Sequence, residues 1–126
     1  MAEPQLVFVY GALMHGCDLH HHMKGGEFAG EGRVAGTLVS LGRYPGLIEG
    51  SGSVRGELYR FADLAAALDV LDDVEGFEPT DPANSLYVRV ARRVQTDDGD
   101  VDAWVYRYNG STEGAQRIPS GDWRKR

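Results

Sequence analysis

Along most of this sequence apolar residues alternate loosely with polar ones, and only once does the period become helical. In Ala62–Val74, Leu64, Leu68, Leu71 and Val74 recur three and four residues apart, which puts them on one face of a helix. Asp63 lies near its start, where a carboxylate suits the dipole, and Gly76 sits just past its end as a stop. Everything else reads as strand, turn or short helix. With 17 glycines in 126 residues, about twice the usual share, the body should be rich in tight turns and strands. The expected fold is α+β: a small mixed β-sheet or barrel flanked by one long and one short helix, forming a single domain over residues 1–126.

The strands follow from local pattern. Gln5–Tyr10 is the first, and Cys17–Lys24 can form the short helix, with Asp18 near its start and Gly25-Gly26 ending it. Glu27–Leu41 is a strand with Val34, Leu38 and Leu41 inward. Tyr44–Ile48 is a brief extended segment, and Ser53–Phe61 is another strand. Phe77–Pro82 reads as loop. Leu86–Gln95 and Val101–Tyr108 alternate well and are joined by a turn at Asp97–Asp100, an antiparallel hairpin. In the polar remainder, Ile118, Pro119 and Trp123 are the expected docking points, and Arg124-Lys125-Arg126 reads as a frayed, solvated end.

A net charge of −6 argues against nucleic acid or an anionic membrane as partner, since both attract positive potential. Cys17 is the only cysteine, so no internal disulfide forms and a reducing compartment is expected. No charged-then-apolar leader opens the sequence, and no apolar run approaches the roughly 18 residues of a membrane span. The expectation is a soluble, cytoplasmic protein.

Several residues could carry chemistry. His15, His20, His21 and His22 cluster, but His20–His22 are adjacent and point in different directions, whereas helical zinc ligands stand one turn apart. A structural or surface role is the simpler reading, with a His15-based pair open only if the loop folds back. Cys17 lacks a defined orienting group and reads as a small, partly buried residue. The corner after the first strand, Tyr10-Gly11-Ala12-Leu13, matches no phosphate loop. It is either a simple tight turn or a place where successive backbone N–H groups hold an anion. Asp72, Asp73 and Glu75 close the long helix against the preference of its dipole. Glu75, one turn after Leu71, falls at the edge of the buried face, and Asp72 and Asp73 point elsewhere as solvated or capping groups. Glu75 is therefore either a frayed acidic end or a semi-buried general base.

Five short motifs in order narrow this choice. Tyr10-Gly11-Ala12-Leu13, Val54-Arg55-Gly56-Glu57-Leu58-Tyr59, Leu71-Asp72-Asp73-Val74-Glu75-Gly76, Tyr87-Val88-Arg89 and the ending Ile118–Trp123 together resemble the γ-glutamylcyclotransferase-like family over nearly the whole chain. The resemblance implies a small mixed β-barrel with flanking helices. It implies an enzyme that cyclises an L-γ-glutamyl group to 5-oxoproline, releasing an amine or amino acid, without metal or cofactor. Its partner would be a small γ-glutamyl molecule. By the same resemblance Glu75 is the acid/base residue, and backbone amides of Gly11, Ala12 and Leu13 bind the glutamyl end. Tyr10, Tyr87 and Tyr106 are candidate pocket walls. Many relatives carry Ser or Thr after the Tyr-Gly pair, whereas this chain has Ala12, so only backbone donors remain there. That difference supports the alternative, a non-catalytic binding protein for a γ-glutamyl or other small carboxylate ligand on the same scaffold.

Overall fold

In a computed structural model describing residues 3–126, six strands form one sheet in the order β3-β1-β5-β4-β2-β6. They are β1 (Leu6–Val9), β2 (Gly26–Ser40), β3 (Pro45–Phe61), β4 (Tyr87–Thr96), β5 (Gly99–Tyr108) and β6 (Gln116–Arg117). An extra pairing of β2 with β3 joins the sheet's two sides, so five strands close into a ring. The single α-helix, α1 (Leu64–Glu75), follows β3. The architecture is α+β, as expected.

β1 shows how composition selects position. Leu-Val-Phe-Val is apolar on both faces, so it suits the middle of a sheet. It pairs antiparallel with β3 through Phe8 and Leu58, and parallel with β5 through Leu6 and Ala103. Inside the ring Phe8, Val54, Leu58, Val94 and Val105 are fully buried or nearly so, and Val7, on the opposite face of β1, is fully buried as well.

Most boundaries shift by one or two residues from the sequence-based expectation, and two elements differ more. The Tyr44–Ile48 and Ser53–Phe61 segments join in one strand, Pro45–Phe61, because β3 pairs with β2 on both sides of the Glu49–Gly52 stretch. The glycines between them do not break it. The register shift at Phe28/Gly30 is a bulge on β2, and the one at Ala35/Thr37 puts the surplus residues, Glu49–Gly52, on β3, in keeping with glycine's usual place at strand irregularities. The short helix expected at Cys17–Lys24 is only a 3-10 turn over His20–Met23, with no side-chain cap.

α1 behaves as its pattern demands. The Asp63 side chain accepts the Ala66 N–H at 3.1 Å, and Gly76 ends the helix in the left-handed region at φ 67°. Leu68 and Leu71 are buried. The C-terminal segment is docked rather than frayed: Ile118 N–H donates to Leu38 O at 2.8 Å, and Ile118 and Trp123 are buried. Pro119, expected to dock, is exposed. No helix among the described residues is long and apolar enough to cross a membrane.

Candidate active site

Where β1 ends the chain turns at once, with Met14 N–H donating to Gly11 O at 3.0 Å. Gly11 is small for a packing reason. A Cβ there would lie 2.5 Å from Pro45 Cγ and 2.9 Å from Pro45 Cδ, so the wall built by β3 excludes any side chain. The Ala12 carbonyl is occupied by Leu19 N–H at 2.9 Å. The N–H groups of Gly11, Ala12 and Leu13 are different: among the described residues none donates a hydrogen bond. Gly11 and Leu13 are buried, and buried amides without acceptors are rare unless a ligand or water completes them.

These residues line a cavity of about 120 Å³ together with Tyr10, Glu75, Tyr87 and Tyr106. All seven candidates read from the sequence thus meet in one place. The tyrosine hydroxyls, however, are already committed to the framework. Tyr10 donates to Tyr106 O at 2.6 Å while accepting Leu47 N–H at 3.0 Å. Tyr87 donates to Pro45 O at 2.6 Å, and Tyr106 to Asp72 Oδ1 at 2.6 Å. Burial raises the pKa of all three, with the Glu75 charge adding to the effect. They stay neutral and present rings, not ionised oxygens, to the cavity.

Among the described residues, Glu75 is the only charged side chain in the lining. It is half-buried and makes no hydrogen bond or ion pair within the described residues. Burial pushes its carboxyl from 4.5 up to about 7. Such a group changes protonation state at neutral pH and can both take and return a proton.

Asp72 departs from its expected solvated or capping role. It is buried and holds Arg89 at 2.8 and 3.2 Å as well as the Tyr106 hydroxyl. The signal was present in the helical arithmetic, since Asp72 stands four residues after Leu68 and eight after Leu64, on the apolar face. Glu57 is a second residue whose role the local sequence pattern does not announce. Its buried carboxylate accepts His15 N–H at 2.8 Å and the Tyr59 hydroxyl at 3.0 Å. Arg124 reaches the same carboxylate at 3.3 Å and the His15 carbonyl at 2.6 Å. The basic tail is therefore not merely a solvated end. Among the histidines, His20 bonds the Leu13 carbonyl through Nδ1 at 2.9 Å and packs edge-on against His15. Cys17 is half-buried.

The chain is similar to known proteins over nearly its whole length. A family model described as gamma-glutamyl cyclotransferase, AIG2-like, matches residues 7–125. A Vibrio cholerae protein named putative gamma-glutamylcyclotransferase is 38% identical over 124 residues, 96% of each chain. The gamma-glutamylcyclotransferase family protein YtfP of Escherichia coli K12 is 37% identical over 119 residues, 93% of this chain and 94% of its own. The solution structure of E. coli ytfP superposes with a TM-score of 0.67 at 35% identity, covering 94% of this chain and 95% of that one. A Niallia circulans protein named gamma-L-glutamyl-butirosin B gamma-glutamyl cyclotransferase is 31% identical over 82% of this chain and 66% of its own. The chain belongs to the gamma-glutamyl cyclotransferase, AIG2-like family of enzymes.

Proposed function

We propose that the chain cyclises an L-γ-glutamyl group to 5-oxoproline and releases an amine or amino acid, with Glu75 as general acid/base. The observation that carries this reading is an unpartnered carboxyl titrating near pH 7 in the same small cavity as three unpartnered backbone N–H groups. Among the described residues no lysine, arginine or histidine lines that cavity, so these amides are the available donors for the glutamyl α-carboxylate.

The reaction needs little more. With the α-carboxylate held, the glutamyl chain folds so that its α-nitrogen meets its own γ-carbonyl carbon, and proximity supplies much of the rate. Glu75 as carboxylate takes a proton from the attacking nitrogen while the ring C–N bond forms. It then gives that proton to the leaving nitrogen as the original C–N bond breaks. No water is consumed, and Glu75 ends as it began. The rings of Tyr10, Tyr87 and Tyr106 exclude solvent and keep the carboxyl's affinity for protons high.

Incubation with γ-glutamyl amines and γ-glutamyl amino acids should release 5-oxoproline. The N. circulans relative's name adds a γ-glutamyl-acylated antibiotic to that panel. kcat/KM should rise with pH and level off above about 7, as the base ionises. Glu75→Gln should lower kcat by roughly 10²–10⁴-fold with an unchanged circular dichroism spectrum. Full activity in that variant would remove Glu75 from the role. Thermal stabilisation by such ligands with no 5-oxoproline from any of them would instead make this a binding protein, the reading that Ala12 favours.

A further inference from the structure

The end of α1 is attached to β4 and to Leu86, the residue just before it, at two points that bracket Glu75. Three residues before it, Asp72 Oδ1 and Oδ2 accept Arg89 Nε and Nη2 at 2.8 and 3.2 Å. One residue after it, Leu86 N–H donates to Gly76 O at 3.0 Å. The Arg89 guanidinium is enclosed as well as paired. It lies 4.5 Å from the Trp104 ring centroid and 5.7 Å from that of Phe77, with a side chain only 17% exposed. Asp72 also takes the hydroxyl of Tyr106, a ring of the cavity wall. A buried, two-point ion pair of this kind is costly to break, because either partner alone would be left as an uncompensated charge.

We propose that Arg89 is a positioning residue for the reaction: acting through Asp72, it fixes the end of α1 on β4 and cancels the buried negative charge one turn from Glu75. The proposal rests on the acid/base reading of Glu75. Without Arg89, the Asp72 carboxylate would stand alone one helical turn from Glu75 and oppose its ionisation. Without Asp72, the guanidinium would favour that ionisation. Substitutions at the two ends of one ion pair should therefore move Glu75 in opposite directions. A helix end that had only been loosened would move it the same way in both. The other ionisable groups facing Glu75 are Tyr10 after β1, Tyr44 before β3, Tyr87 on β4 and Tyr106 on β5, with Asp73 beside it on α1.

The test follows the side-chain carboxyl carbon of Glu75 by NMR through a pH titration of the full chain, a readout that needs no turnover. Arg89→Met should raise the midpoint by about one pH unit, Asp72→Asn should lower it, and the double variant should return it close to the wild-type value. The acid limb of kcat/KM should shift in parallel. An unchanged midpoint in folded Arg89→Met, or shifts of the same sign in both single variants, overturns the proposal. If Arg89→Met does not fold, Asp72→Asn decides by the downward shift or its absence. If Glu75→Gln keeps full turnover, the acid/base reading fails whatever the NMR midpoints do. If Glu75→Gln is inactive and the midpoints do not move, only the role of Arg89 fails.

Discussion

A carboxyl group that titrates near pH 7 weakens the folded chain whenever it is ionised. In the fold Glu75 holds its proton up to about pH 7, whereas its ordinary value is 4.5. Between those two values the native state binds a proton that the unfolded chain has released, so stability falls as pH rises through this window and is level above it. The rise from 4.5 to about 7 corresponds to at most about 3–4 kcal/mol, reduced by the partial exposure of a half-buried group. Wild-type protein should thus lose several degrees of Tm between pH 5 and pH 8 beyond whatever Glu75→Gln loses. At pH 8 the variant should be the more stable of the two. Parallel Tm profiles from calorimetry would mean that Glu75 is not held in an apolar site. The same residue marks what local pattern makes legible. Its place one turn after Leu71 pointed to the edge of the buried face. The pattern could not say that rings from three other elements would close over it, because those contacts come from residues far away in sequence.

At the scale of the element, the loop after β1 owes its shape to β3. Glu57 presents a buried carboxylate that fixes His15 N–H, Tyr59 and Arg124 at the loop's far end. The Tyr59 hydroxyl is raised to about 12, by burial first and by its bond to Glu57 second, so it remains a donor. Glu57→Ala would leave the His15 amide without its acceptor and release the loop that carries the Gly11–Leu13 donors. The expected cost is about 1–3 kcal/mol of stability, with a KM for γ-glutamyl substrate raised roughly tenfold or more and a smaller change in kcat. Steady-state kinetics of 5-oxoproline release would check this, and an unaltered KM would show that the loop keeps its shape unaided. The role of Glu57 was hidden for a definite reason. Strand alternation separates one buried face from one wet face, yet Gly56, Glu57, Leu58 and Tyr59 are all buried. The ring covers one side of β3, and the loop with the C-terminal segment covers the other. Period-two patterning describes only the first of those layers.

For the whole molecule, closure of the ring is the feature that no local pattern encodes, since it joins residues such as Leu6 with Ala103 and Arg33 with Gln95. The individual strands and α1 were readable because each carries its own period; the seams were not. The narrowest seam is between β2 and β4, which meet at the single pair Arg33↔Gln95. Gly32 permits that approach: a Cβ there would collide with Val94 Cγ1 and lie 3.0 Å from Gln95 O. Gly32→Val should therefore force the two strands apart, at the roughly 1–3 kcal/mol typical of an overpacked site. The lining of the Glu75 cavity includes neither Gly32 nor Val94, so kcat at 25 °C should change little while Tm falls. Amide hydrogen exchange should locate the damage, with protection lost first on β2 and β4 around residues 32–34 and 94–96. Ala35→Val, at an exposed position on the same strand, controls for the added bulk and should leave both Tm and exchange unchanged. If Gly32→Val matched that control, the seam would contribute nothing to stability, and the sheet would behave as an open one whose edges merely lie side by side.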